Sequence, residues 1–212
     1  MSPLADPEIT DFRIERKYRL EGATQAGVQA LLGQLPAAVQ RAFPDRWVNS
    51  LYFDDPDLGT ALDNLRGVGD RRKYRLRWYG DWLAEGLPLH FEVKERRNQG
   101  IRKFNFYDIP QNLPEWLAGK EQPPVASSIL SPVVGIRYQR SYFHTFDRQI
   151  RLTIDWELQA AAWQANWPMR WMPMSELILE VKYPMEQEER AMPLLEALPF
   201  RPDRHSKYLR AV

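Results

Sequence analysis

The sequence has no cysteine. That removes disulfides, zinc–thiolate sites and cysteine nucleophiles together, and it fits a reducing compartment. Long apolar runs are missing too. No window approaches the ~20 consecutive apolar residues of a membrane span. The start, "MSPLADPEITDF", is acidic and has no apolar stretch to serve as a secretory signal. The expectation is a soluble, cytoplasmic protein. Net charge is also lacking, since 29 Lys and Arg face 28 Asp and Glu, for +1 overall. The molecule as a whole is therefore not a generic polyanion binder, and any strong anion site must come from how charges are arranged. There is no fixed-spacing repeat, low-complexity tract or linker. With 212 residues, 44% of them hydrophobic, the chain reads as one domain over 1–212.

What the sequence does have is alternation. In "RRKYRLRWYG" (71–80), Lys73, Arg75 and Arg77 share one parity, and Tyr74, Leu76 and Trp78 the other. In a strand these sets point to opposite faces. The same habit recurs as Glu15 and Lys17 in "IERKY", Glu92 and Lys94 in "FEVKE", Arg151, Thr153 and Asp155 in "RLTID", and Glu180 and Lys182 in "LEVKY". Five strands thus carry charged or polar groups about 6–7 Å apart on one face and mainly apolar groups on the other. These five are the strands expected at 12–20, 71–80, 89–97, 148–163 and 176–184, and further strands are expected at 47–55, 100–110 and 133–146. Helices are expected at 24–36, 58–67 and 189–199, with helix and loop over 113–130. This is an antiparallel α+β pattern dominated by one large sheet or barrel.

A half-exposed sheet would also alternate, but exposed faces usually scatter Ser, Gln, Thr and both signs of charge. A cylinder with the charged face turned inward explains the repeated Arg, Lys and Glu better. The basic candidates for its lining are Lys17, Arg75, Arg77, Lys94, Lys103, Arg137, Arg151, Lys182 and Lys207. The acidic ones are Glu15, Glu92, Asp155 and Glu180. Nine against four leaves an excess of five, so the rest of the chain would be net negative. Forked guanidinium donors and compact ammonium charges suit a condensed phosphate chain. Glutamates there must either pair with lysines or hold a divalent metal that bridges to the ligand. Glu180 is the first metal candidate, with Glu15 and Glu92 behind it.

Other readings carry less. Nucleic-acid binding needs exposed stacking aromatics, whereas Tyr74 and Trp78 occupy the parity opposite the cations. His90 and His144 read as surface or interstrand residues, and His205, beside Ser206 and Lys207, is the histidine best placed to touch ligand. Trp163, Trp167 and Trp171 read as barrel exterior or a loop cap.

At "IERKY", "YFD", "KYRLRWYG", "FEVK", "IRYQR", "RLTID", "LEVKY" and "SKY", in this order, the sequence resembles the VTC domain. This is the polyphosphate polymerase domain of the vacuolar transporter chaperone complex, within the triphosphate tunnel metalloenzyme (CYTH-like) superfamily. The resemblance spans about residues 12 to 209. It implies an antiparallel eight-stranded triphosphate-tunnel β-barrel with helices packed outside. It also implies transfer of the γ-phosphoryl of ATP onto polyphosphate, with manganese or magnesium. By motif, Lys17, Lys73, Arg75, Arg77, Lys94, Lys103, Arg137, Arg151, Lys182 and Lys207 would grip phosphate. Glu180 would hold the metal, with Glu15 and Glu92 as further metal candidates, and Ser206 would sit beside the substrate. Metal-rich relatives begin Glu-x-Glu-x-Lys; here Arg13 replaces the first glutamate, which predicts a sparser metal site. If water took the acceptor position, the same site would be a triphosphatase or polyphosphatase; without metal it would be a non-catalytic polyphosphate or nucleotide sensor. The expected partners are ATP or triphosphate and polyphosphate, not nucleic acid. Any membrane partner that exports product would be a separate chain.

Overall fold

The structure, a computed structural model, describes residues 8–10, 13–97, 100–124, 129–164, 169–203 and 205–212. One antiparallel sheet dominates it, in the order β1-β6-β5-β4-β3-β7-β8-β10-β2, with β9 on β8. The strands are β1 (Glu8–Thr10), β2 (Arg13–Glu21), β3 (Gln40–Asp54), β4 (Arg71–Tyr79), β5 (His90–Arg97), β6 (Gly100–Phe106), β7 (Ser131–His144), β8 (Arg151–Ala162), β9 (Met172–Pro173) and β10 (Glu176–Pro184). The helices are α1 (Gln25–Gly33), α2 (Gly59–Arg66), α3 (Leu113–Leu117), α4 (Glu188–Ala197) and α5 (Lys207–Ala211).

Alternation does what it predicts. On β4, β5, β8 and β10 the apolar parity, including Leu76, Trp78, Phe91, Val93, Leu152, Ile154, Leu179 and Val181, is buried in two clusters on one face. The charged parity forms the other face. That face is concave, because Lys94 on β5 reaches Glu15 on β2 at 2.6 Å, although the two strands lie near opposite ends of the sheet order. The sheet therefore curls on itself, and side chains rather than a backbone ladder bridge the seam between its ends.

Helices α1 and α4 cover the convex face over β2, β8 and β10. Val28, Leu32, Ala191 and Leu194 pack there against Leu152, Leu179, Val181 and Tyr183. Thr24 caps α1 by accepting from the Gly27 amide at 3.1 Å, as its type and place predict. Trp116 of α3 lies fully buried against Phe53 and Phe91 on the neighbouring stretch of the same face. The other two helices lie differently. Ala61 of α2 and Tyr208 of α5 pack with Val48, Tyr52, Val134, Ile136, Tyr138 and Ile178, all on the concave face. One end of the lumen is thus an apolar floor made by the end of the chain. Tyr208 stacks on Tyr52 (5.1 Å, 11°), and its hydroxyl donates to Asp54. Asp54 also accepts from the Thr60 and Ala61 amides, which starts α2 and ties it to α5.

Candidate functional site

Three adjacent strands place three lysines side by side across the concave face, Lys73 opposite Lys94 and Lys94 opposite Lys103. The next row outward is Arg75, Glu92 and Asn105, and the next pairs Arg77 with His90. Glu92 is the hub. It is 1% exposed and accepts from Arg75 and Lys103, with Arg77 Nη1 at 3.5 Å and His90 Nε2 at 3.6 Å. Arg75 Nη1 also donates to the Tyr52 hydroxyl at 3.2 Å, and Arg77 Nη2 to that of Tyr138 at 3.3 Å.

Across the lumen a second group converges from β2, β7, β8 and β10. Arg140 donates to both oxygens of Asp155, at 2.5 and 2.8 Å, and lies 3.8 Å from Glu180. Glu180 is also approached by Lys182 at 3.1 Å and Lys17 at 3.7 Å. The end of the chain joins both groups. Lys207 bonds Asp155 at 2.6 Å, Lys73 donates to Ser206 Oγ at 2.7 Å, and Lys17 donates to the His205 carbonyl at 3.3 Å. Lining this lumen are Lys17, Lys73, Arg75, Arg77, Lys94, Lys103, Arg140, Lys182 and Lys207, against Glu15, Glu92, Asp155 and Glu180. Nine basic side chains meet four carboxylates.

Burial and crowding shift the proton affinities of these groups. Burial, reinforced by Lys17, Lys94, Arg71 and Arg75, pulls the Lys73 ammonium down to about 6. Burial likewise brings Lys103 to about 7; Glu92 opposes the shift, and Arg75 and Arg77 add to it. Lys94 is lowered in the same way, with Glu15 opposing. The carboxylates move oppositely. Burial alone would raise Glu92 and Glu180, but Arg75 and Arg77 hold the first, and Lys182 and Lys17 the second, well below the usual range. Asp155 sits at about 2 for the same reason, through Arg140 and Lys207. These carboxylates are therefore ionised and paired, while burial, with crowding by other cations, makes Lys73 and Lys103 the easiest of the lumen lysines to deprotonate. An anion entering here would favour their charged forms. Two buried oxygens among these groups, Thr153 Oγ1 and Asn105 Oδ1, have no hydrogen-bond partner.

Among the described residues, no three carboxylate or imidazole side chains come together as a ready-made metal site. Glu15 and Glu180 do sit on neighbouring strands and feel each other's charge; burial and Glu180 push the Glu15 carboxyl up, but Lys94, Lys182 and Lys17 outweigh them and hold it below its ordinary value. Two hard oxygen donors fit magnesium or manganese if phosphate oxygens and water complete the shell. Glu92 is enclosed by four basic side chains and is poorly placed to join them.

Most residues expected from sequence share this face, with two differences. Arg137 points to the convex side, where Nε donates to Gln159 at 2.8 Å and the guanidinium lies between Trp47 and Trp171 at 5.3 and 4.7 Å. The arginine that β7 sends inward is Arg140, three positions on. Arg151 has the inward parity of Thr153 and Asp155 but is exposed at the start of β8. His144 bonds the neighbouring Thr145 carbonyl and stays outside the cluster. His90 touches Glu92, an approach its place before "FEVK" did not reveal. His205 is buried behind Lys17 with an unpartnered Nε2, and burial together with Lys207 and Lys17 pulls it to about 3. Trp163 and Trp171 pack against the convex-face cluster; Trp167 lies outside the described residues. Tyr52 and Tyr138, missed because their parity reads as apolar, orient the two central arginines.

A sequence model of the VTC domain matches residues 12–212. Similar solved structures include two candidate adenylate cyclases. The one from Vibrio parahaemolyticus is 13% identical, with a TM-score of 0.56 over 93% of this chain and 95% of that one. The one from Bacillus halodurans is 13% identical, with a TM-score of 0.57 over 93% and 97%. A third, a candidate adenylyl cyclase from Hippeastrum with a dominant triphosphatase activity, is 17% identical, with a TM-score of 0.52 over 94% and 95%. The chain belongs to the VTC-domain family and has the triphosphate-tunnel (CYTH-like) fold.

Proposed function

We propose that this VTC-domain protein grips the phosphates of ATP in its cationic lumen and transfers the γ-phosphoryl group to the end of a polyphosphate chain. The observation that carries the reading is the uncompensated charge. Nine basic side chains converge on four carboxylates, and burial, with positive neighbours adding to it, brings Lys73 and Lys103 down to about 6 and about 7. Phosphoryl transfer asks a protein mainly to position the reactants and stabilise charge, which is what such a lining supplies.

In this reading Arg75 and Arg77, fixed by Glu92, Tyr52 and Tyr138, present their remaining donors to the donor phosphates. Lys73 and Lys103 regain protons as the anion arrives and, with Lys94, hold the acceptor side. Arg140, Lys182 and Lys207 face them from across the lumen, and Arg151 receives the chain at the rim. Ser206 orients Lys73. Glu180 and Glu15 would hold a magnesium or manganese ion, which when bound offsets charge on the bridging oxygen as it leaves. Glu92 orients the arginines and is not a ligand.

A second reading, hydrolysis of a triphosphate, is favoured by the position of α5. Tyr208 and its neighbours occupy one end of the lumen, so a lengthening polymer has no direct route through it. The triphosphatase activity of the Hippeastrum relative points the same way. Incubation with ATP and Mn²⁺, followed by a polyphosphate-stained gel and a free-phosphate assay, separates the readings. Long chains support the transferase; free phosphate alone supports the hydrolase; neither product overturns both and points to a sensor.

A further inference from the structure

On the convex face, away from the lumen, β7 sends Arg137 into surroundings that are largely aromatic. Gly135 precedes it on the same parity. A Cβ at Gly135 would come within 2.7 Å of Met169, 2.8 Å of Trp82 and 3.2 Å of Trp171, so the bare backbone is what lets the two indoles lie against the strand. Trp82 braces Trp171 from the side, with ring centres 4.6 Å apart and planes at 78°. Trp47, on the neighbouring strand β3, forms the opposite wall. The Arg137 guanidinium lies in the slot between them, 5.3 Å from the Trp47 ring centre and 4.7 Å from that of Trp171. Gln159, its partner residue on β8, accepts from Nε at 2.8 Å.

What remains of the guanidinium is its outer edge. Indoles flank it and Nε is taken, so the two terminal nitrogens are left as a forked pair of donors. The arginines of the lumen each have a carboxylate, Glu92 for Arg75 and Arg77 and Asp155 for Arg140. Arg137 has the neutral Gln159 amide instead. Burial lowers its proton affinity, and no acidic neighbour among the described residues offsets the shift. A half-buried cation of fixed shape without a counter-charge is a place for an anion from outside the chain. Stacking has already taken most of its side-chain freedom, so little more is lost when that anion binds.

We propose that Arg137, in the slot between Trp47 and Trp171, anchors a partner protein through a segment that carries an aspartate or glutamate beside an apolar residue. The setting decides the class of ligand. One guanidinium among indoles balances the single charge of a carboxylate, whereas the lumen meets phosphate with a crowd of basic groups. The carboxylate accepts from both terminal nitrogens in the forked geometry that suits arginine. The apolar residue of the partner lies on the rim, where Met172 (57% exposed) follows Trp171 and Leu83 (54%) follows Trp82. Tryptophan and arginine are the side chains that most often dominate the energetics of such interfaces. Because the slot faces away from the lumen, a partner held there leaves the phosphate site open.

The test is a random peptide library displayed on phage and panned against the full chain, with tripolyphosphate present to occupy the lumen. Recovered peptides should share an acidic residue next to an apolar one. Synthetic copies should bind Arg137→Gln at least tenfold more weakly than wild type, as expected when a charged hydrogen-bonded pair is lost. Changing the peptide acid to its amide should cost as much, and both changes together little more. A single cooperative melt, with tripolyphosphate affinity within about twofold of wild type, shows that the variant is folded. Peptides without a shared acid, or equal binding to Arg137→Gln, would overturn the anchor. So would a phosphoserine copy that binds more tightly than the glutamate one, or Arg137-dependent binding of phosphatidylserine vesicles without any of peptide. A chain that ignores tripolyphosphate yet keeps the dependence on Arg137 loses the lumen reading and not this one.

Discussion

Lys94 on β5 and Glu15 on β2 form an ion pair at 2.6 Å across the seam where the two ends of the sheet approach each other. Neither side chain is more than 27% exposed. Removing one partner leaves the other partly buried among like or opposite charges, and buried half-pairs are costly. Glu15→Gln is expected to destabilise the protein by about 2 kcal/mol, discounted from the fully buried case for partial exposure. Urea denaturation checks this; an unchanged midpoint would mean that the seam does not depend on the pair.

Lys73 stands where function opposes stability. Burial and four neighbouring cations depress it from 10.5 to about 6. Between these values the unfolded chain binds a proton that the folded chain does not, so stability rises with pH through that window. Lys103, at about 7, acts in the same sense over a narrower span. Ligand-free melting temperatures should therefore climb from pH 6 to pH 9. Lys73→Met should flatten the climb and melt higher than wild type at pH 6.5, yet bind tripolyphosphate at least tenfold more weakly. A variant less stable than wild type at that pH would contradict the charge crowding.

The same two lysines link binding to protons. At pH 8 they are largely neutral, and an entering phosphate chain restores the charge that favours their ammonium forms. Tripolyphosphate binding should take up protons at pH 8 and almost none at pH 5. Calorimetry in buffers of different ionisation enthalpy reads this directly. Zero uptake at pH 8 would show that the lysines are already charged before ligand arrives.

Arg137 and Arg140 should behave oppositely. Arg140 is tied to Asp155 and Glu180 inside the lumen, whereas Arg137 lies between two tryptophans outside it. Arg140→Lys is expected to cost at least tenfold in tripolyphosphate affinity, because the forked contact with Asp155 is lost. Arg137→Ala should leave that affinity within about twofold and lower stability by about 1 kcal/mol through lost packing. Equal losses of affinity would remove the distinction.

These two residues also show how far the sequence could be read. Charged parity faced inward on β2, β4, β5, β8 and β10, where the lumen is polar, and the alternation alone located those side chains. The rule inverts on β7. There the inward positions Val134, Ile136 and Tyr138 are apolar, because they pack against the α5 floor, so the outward Arg137 looked like lining. A register irregularity between β7 and β8 follows, and beyond it Arg140 faces Asp155. The first half of β3 was missed for a related reason. Gln40–Arg46 contains Pro44 and two register shifts, and it is largely exposed, so no period survives in it. The placement of Lys207 and Ser206 depends on the chain end folding back into the barrel, which no strand periodicity encodes; the "SKY" motif alone marked them.

The most direct measurement of the enclosed cationic lumen is tripolyphosphate affinity at fixed salt for wild type, Arg75→Ala and Arg137→Ala. Arg75 is mostly buried and bound to Glu92 and Tyr52, and its loss should weaken binding by at least tenfold, while Arg137→Ala stays near wild type. Equal affinities for all three proteins would mean that the inward-facing charges do not hold the anion, and would contradict the assignment.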